Sequence, residues 1–215
     1  VKSARGRKPS SKRWLERQLN APYVREAKRQ GYRSRAAFKL KEIDERFSLL
    51  KPGQCIVDLG AAPGGWCQIA ALATKSAEGN GRVIGVDIQE FDALAGVESL
   101  IMDFMDPSAP AVIHDLLAGQ SADIVLSDMA APATGHRQTD HLKIMALLEA
   151  AFDFATEILT PGGVFLGKVL QGGTEAELLS RMKRAFAEVR HVKPKSSRSN
   201  SAELYVLATG YRPSV

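Results

Sequence analysis

Cys55-Ile56-Val57-Asp58-Leu59-Gly60-Ala61-Ala62-Pro63-Gly64-Gly65-Trp66 changes character twice in twelve residues. A Pro52-Gly53 turn leads into Cys55 to Leu59, a short run with β-branched residues at its centre, which predicts a buried strand. Small residues then form a glycine-rich bend, and helical spacing begins beyond it. Strand, loop and helix in that order place a ligand at the carboxyl end of a strand in an open α/β sheet. Gly60 to Gly64 let a ligand approach the backbone, yet the spacing is not GxGxxG, and Pro63 lacks an amide hydrogen that a pyrophosphate would use. A nucleotide-like ligand without phosphates fits this loop better than a dinucleotide; the competing reading is a purely structural glycine turn.

Outward from this unit the alternation continues. Strands are predicted near Arg82 to Asp87, Ser99 to Ile101, Asp123 to Ser127 and Val164 to Val169, with helical periodicity between them. Thr139 to Leu159 reads as a long helix that Thr160-Pro161-Gly162-Gly163 stops as a turn. A helix near Glu175 to Ala187 and two strands, Val189 to Lys193 and Leu204 to Thr209, follow. Upstream, Ala36, Leu40, Ile43 and Phe47 recur at helical spacing, with Ser34 as N-cap and Lys39 at the edge of the apolar stripe. The fold class that follows is α/β: a Rossmann-like, seven-stranded, mostly parallel sheet with helices on both faces. Residues 21–215 read as a single domain whose first part, 21–50, is a basic helical segment; residues 1–20, rich in Lys, Arg, Ser and Gly, read as a flexible basic arm.

Acids stand at the ends of successive strands. Asp87 closes Val83-Ile84-Gly85-Val86, the place where a carboxylate grips a ribose diol. Asp103 follows the third strand at the depth of an adenine amino group, and Asp128 follows Ile124-Val125-Leu126-Ser127 beside the point where strand order reverses. One such Asp is usually a loop cap. Three on one edge, with Asp58 on the first strand, outline a ligand carrying a diol, an amino group and a cation, as an adenosyl sulfonium does. Lys168 interrupts the apolar run Val164 to Val169, so burial is expected, against the plainer reading of a lysine snorkelling from an edge strand. Glu203, opening the last strand, is placed to reach the same edge.

Composition narrows the classes. With 215 residues, 45% of them hydrophobic, the chain can bury one complete α/β core. Cys55 and Cys67 are too few for a disulfide framework, and His114, His136, His141 and His191 show no ligand spacing, so reduced core cysteines and no catalytic metal are expected. There is no apolar run of membrane-spanning length, and the basic, polar N-terminal stretch lacks a signal-peptide core, so a cytoplasmic protein that avoids membranes is expected. The net charge of +5 conceals an asymmetry: residues 1–41 hold 14 Lys and Arg against two Glu, residues 42–180 seven against 20 acids, and the last 35 residues are basic again. Basic ends around an acidic middle suggest a polyanion-binding face, although a solubilising tail has the same composition. Tyr23, Tyr32 and Phe38 interleave with Arg25, Lys28, Arg29, Arg33 and Arg35, a mixture of rings and cations suited to single-stranded RNA.

Ser34-Arg35-Ala36-Ala37-Phe38-Lys39-Leu40, the loop from Asp58 to Trp66, Ser127-Asp128-Met129-Ala130, Gly167-Lys168-Val169 and Ser201-Ala202-Glu203-Leu204-Tyr205 together resemble the FtsJ family of RNA ribose 2′-O-methyltransferases over nearly the whole chain. The resemblance implies the S-adenosylmethionine-dependent methyltransferase form of the Rossmann-like sheet. It places the family's Lys-Asp-Lys-Glu catalytic tetrad on Lys39, Asp128, Lys168 and Glu203, and cofactor contacts on Gly64, Trp66, Asp87, Asp103 and Asp128. It further implies S-adenosylmethionine as cofactor, no metal, a monomer, and as substrate a uridine in the A-loop of 23S rRNA within the large ribosomal subunit. One departure bears on the target pocket: Ala131-Pro132 stands where bacterial members usually have Pro-Asn, and Gly135-His136-Arg137 follows.

A ribose hydroxyl is a weak nucleophile and a sulfonium methyl an activated electrophile, so alignment and proton removal are the tasks. Lys168 is the expected proton acceptor, with Asp128 and Glu203 orienting it, although their charges oppose the neutral amine such a role requires. Other readings are a 2′-O-methyltransferase of tRNA or mRNA, a non-catalytic ribosome-assembly factor, whose signature would be a broken tetrad, and a nicotinamide oxidoreductase, which the missing GxGxxG and the basic ends oppose. Base methylation normally needs an Asn-Pro-Pro-aromatic segment or a nucleophilic cysteine, and the Asp128 region has neither.

Overall fold

β1 (Cys55–Leu59) is buried at every residue and carries β2 (Arg82–Asp87) on one side and β4 (Ala122–Ser127) on the other, both parallel to it. Adding β3 (Val97–Ile101), β5 (Leu159–Leu170), β6 (Phe186–Val192) and β7 (Glu203–Tyr211) gives a seven-stranded sheet of order β3-β2-β1-β4-β5-β7-β6. β7 alone runs against its neighbours. Strand order reverses between β1 and β4, and the carboxyl ends of these strands open a crevice there. The computed structural model describes residues 22–132, 134–172, 174–197 and 201–213; the arm expected at residues 1–20 lies outside them.

The described helices are α1 (Pro22–Arg29), α2 (Ala37–Phe47), α3 (Gly65–Thr74), α4 (Ala109–Leu117), α5 (Arg137–Ile158) and α6 (Ala176–Ala185). α2 and α3 cover one face of the sheet around Ile56, Leu126 and Tyr205; α4, α5 and α6 cover the other around Val57, Val125 and Phe165. Two covered faces explain why β1 and β4 read as continuous apolar runs rather than alternating ones. Among the described residues no helix is long and apolar enough to cross a membrane.

Two local expectations are corrected. Ser34 does not cap α2: Ala36 holds the N-cap position without a side-chain bond, and the Ser34 hydroxyl is buried against Gly65 without a partner. Thr160 to Gly163 is not a turn ahead of β5 but a bulge inside it. Pairing jumps from Ala122–Leu159 to Ile124–Val164, so four residues of β5 lie opposite Asp123 alone, and Gly162 takes a left-handed φ of 84°. The outer strands also begin earlier than expected, β3 at Val97 and β6 at Phe186, because pairing with β2 and β7 extends them beyond their apolar runs.

Candidate active site

Antiparallel pairing sets Lys168 of β5 opposite Tyr205 of β7 and Leu170 opposite Glu203, which puts Lys168, Glu203 and Tyr205 on one face of the sheet. Lys39 reaches them from the first turn of α2, and Asp128 from just beyond β4, where its N–H donates to Leu59 O at 3.0 Å. Lys168 Nζ lies 2.7 Å from Asp128 Oδ1 and donates to the Asp128 main-chain oxygen at 2.7 Å, with Glu203 Oε1 3.8 Å away. Lys39 Nζ is bonded to Glu203 Oε1 and lies 4.0 Å from Asp128 Oδ1. The four residues that the resemblance groups into one tetrad thus meet in one cluster of alternating sign. Their side chains are only 9 to 17% exposed, and pairing offsets part of the cost of burying charge. Burial pushes the Asp128 carboxyl up, but the charges of Lys168 and Lys39 and hydrogen bonds from Lys168 and Tyr205 outweigh it and hold it below the usual carboxylate range.

Tyr205 stands inside this cluster, a position that its place in an apolar strand does not announce. Its hydroxyl is 2.7 Å from both Asp128 Oδ1 and Glu203 Oε1 and accepts from Lys39 Nζ at 3.1 Å. One proton serves two carboxylates, so it donates to one at a time. Burial, reinforced by those two negative charges, raises its hydroxyl far above the ordinary phenol range and keeps it protonated. The available signal was the pair Glu203 and Tyr205, two apart on a strand and therefore on one face. Trp66 supports this group from behind: its Nε1 donates to Ala36 O at 2.8 Å, and its ring lies 5.4 Å from that of Tyr205.

A cavity of about 500 Å³ opens beside the cluster, lined by Gly60, Ala62, Asp87, Asp103, Phe104 and Asp128 among others. Asp87 Oδ2 accepts the Ala62 N–H at 2.9 Å and Oδ1 the Gln89 N–H at 2.8 Å, which fixes the carboxylate and leaves each oxygen a lone pair for a diol. Asp103 Oδ1 accepts the Met105 N–H at 2.9 Å. With an acceptor for a diol, another for an amino group, an aromatic wall and a carboxylate at the cluster end, the donor set fits an adenosyl sulfonium. Asp128 belongs to both cavity and cluster. Gly64, Trp66 and Asp58 are not among the lining residues. Gly64 has φ of 101°, and the space its missing Cβ leaves is occupied by Leu94 and Arg33. Asp58 does not face the ligand edge: it is fully buried beneath the loop, accepting the Cys67 S–H at 3.2 Å. Among the described residues no three His, Cys, Asp or Glu side chains converge as a metal site.

The aromatic and basic stretch is also more internal than its composition suggests. Tyr23 and Tyr32 pack on Phe38 at 5.5 and 5.3 Å, and Phe38 is buried, so the three rings form a small core of their own. Arg35 donates to Ser196 O at 2.5 Å, whereas Arg29 pairs with Glu26 at 2.5 Å and stays exposed. Arg25 and Lys28 are exposed. Ala131 and Pro132, the positions of the departure, line the cavity. Arg198 lies outside the described residues.

The FtsJ-like methyltransferase family model matches residues 32–211. Ribosomal RNA large subunit methyltransferase E of Azorhizobium caulinodans is 59% identical over 214 residues, spanning 100% of this chain and 89% of its own. The protein of the same name from Rhodospirillum rubrum is 61% identical, spanning 99% of this chain and 81% of its own. Among solved structures, a Plasmodium falciparum protein described as a ribosomal RNA methyltransferase superimposes with a TM-score of 0.74 at 28% identity, covering 85% of this chain and 100% of that one.

Proposed function

The chain belongs to the FtsJ-like methyltransferase family, and on that premise we propose that it moves the methyl group of S-adenosylmethionine to the ribose 2′-hydroxyl of a uridine in the A-loop of 23S rRNA, on the large ribosomal subunit, as a cytoplasmic monomer. The observation that carries this reading is the double membership of Asp128, which puts a lysine-rich proton-handling cluster against a cavity suited to a nucleoside sulfonium. When bound, S-adenosylmethionine supplies an activated methyl group. Asp87 would hold its ribose diol and Asp103 its adenine amino group, with Asp128 at the end of the cavity that would take its charge. Lys168, anchored through two oxygens of Asp128, is placed to take the proton that the 2′-hydroxyl gives up. Its amine must be neutral at that moment to accept the proton. Lys39, Glu203 and Tyr205 hold the cluster in register and orient the ribose, and the exposed Arg25 and Lys28 meet RNA phosphates.

The reading is tested by methyl transfer from labelled S-adenosylmethionine to large subunits taken from cells that lack this protein, followed by mapping of the modified ribose. A single 2′-O-methyl uridine in 23S rRNA is the expected outcome. Transfer only to tRNA or mRNA would replace the substrate, and cofactor binding without transfer to any RNA would favour the non-catalytic assembly role.

A further inference from the structure

Composition counts Arg33 among the cations of an RNA-facing stretch, but the fold commits its half-buried side chain to main-chain oxygens of two loops. Its Nη1 donates to Pro63 O at 3.3 Å and also to Asp92 O, and its Nη2 donates to Ala93 O at 2.8 Å. The Arg33 main-chain N–H donates to Gln68 Oε1 at 3.2 Å, while Gln68 Nε2 donates to Gly31 O at 2.9 Å, so α3 grips the chain on both sides of Tyr32, immediately ahead of the Arg33 side chain. A Cβ at Gly64 would come within 3.1 Å of Arg33 Nη1 and 3.2 Å of its Cδ. The left-handed glycine therefore makes room for this guanidinium.

The two segments joined in this way form two of the walls of the cavity. Pro63 lies on the loop that carries Gly60 and Ala62, whereas Asp92 and Ala93 lie on the connection after β2 that carries Ile88 and Gln89. Asp87 sits at their junction, receiving one N–H from each wall. We infer that Arg33 is a positioning residue for the cofactor cavity: its planar fork, bonded to three carbonyls on two loops, holds the glycine loop against the β2–β3 connection and keeps Asp87 aimed at the ligand. The identity of that ligand rests on the methyltransferase reading; the clamp itself rests on geometry alone. A lysine keeps the charge but offers a single nitrogen, which cannot bond both loops in the plane of a guanidinium.

Arg33→Lys in the full chain separates this role from that of a phosphate-binding cation. Calorimetric titration with S-adenosylmethionine should give a Kd at least about tenfold higher than wild type, the scale of losing a charged hydrogen bond. Without ligand, the Ala62 and Gln89 amides should exchange faster with deuterium. Affinity for an A-loop RNA should stay within about twofold, because the charge is retained. Gln68→Ala, which leaves the guanidinium intact but frees the Arg33 backbone, should raise the same Kd by a smaller factor and guards against a lysine variant that fails to fold. Unchanged cofactor affinity and unchanged exchange in both variants would overturn the inference, as would lost RNA affinity with cofactor binding intact. A wild-type protein that binds no S-adenosylmethionine would remove the functional reading instead, while the exchange comparison would still decide whether Arg33 joins the two walls.

Discussion

Asp58 is fully buried, with one carboxylate oxygen bonded to the Cys67 thiol and the other without a hydrogen-bond partner. Burial above all, with the charges of Asp128 and Asp87 adding to it and the Cys67 hydrogen bond partly opposing, pushes its carboxyl up to about 7. An unfolded Asp titrates near ~3.9. The folded chain therefore binds this proton more tightly, and the resulting stability is fully present below about pH 4 and lost as pH rises through about 7. Asp58→Asn, uncharged throughout, should gain stability relative to wild type by roughly 2 kcal/mol between about pH 5 and about pH 8. Denaturant unfolding at both values checks this, and parallel changes in the two proteins would contradict it. The same residue marks how far an isolated acid can be read. Asp58 and Asp87 both lie at strand ends, but strand alternation sends Asp58 under α3, whereas Asp87 stays at the crevice, and only the neighbouring loop decides which outcome applies.

Elements were legible where one physical cause dominates. β1, β2 and β4 are two-face-buried runs, and their reading as parallel strands followed directly from apolar sequence bounded by Gly and Asp. The bulge at Thr160 to Gly163 and the early starts of β3 and β6 were not legible, because pairing with a neighbour, rather than local propensity, creates them. Arg82 shows the same limit. At the start of β2 it bonds Glu98 of β3 at 2.7 and 3.0 Å and donates to Leu116 O and Leu117 O at 2.7 and 3.3 Å, completing the carboxyl end of α4. This side chain ties an edge strand and a helix to the sheet, far in sequence from either partner. Arg82→Ala should destabilise the protein by about 1–2 kcal/mol and lower Tm by a few degrees, with cofactor affinity at lower temperature unchanged. Thermal unfolding with and without S-adenosylmethionine measures both.

At the scale of the molecule, the site is assembled from α2, β4, β5 and β7, elements spread across the chain from Lys39 to Glu203. The crevice itself could be placed from strand order and strand-end acids, since an open sheet reverses direction at one point. Which groups touch could not: Lys168 meets Asp128 through a side-chain and a main-chain oxygen, Tyr205 bridges two carboxylates, and Arg33 bonds carbonyls of Pro63, Asp92 and Ala93 on two loops. These contacts depend on β5–β7 register and on loop packing, which residue types alone do not encode. We propose that Lys168 handles the ribose proton while the cavity independently holds the cofactor. The direct measurement is single-turnover methyl transfer to large ribosomal subunits by Lys168→Ala and Lys168→Arg, alongside calorimetric binding of S-adenosylmethionine. Transfer should fall by at least about a hundredfold in both variants, the scale of lost general-base catalysis, with cofactor Kd within about threefold of wild type, since the cavity is left in place. Arginine is a very poor proton acceptor, so near-normal transfer by Lys168→Arg would contradict the account.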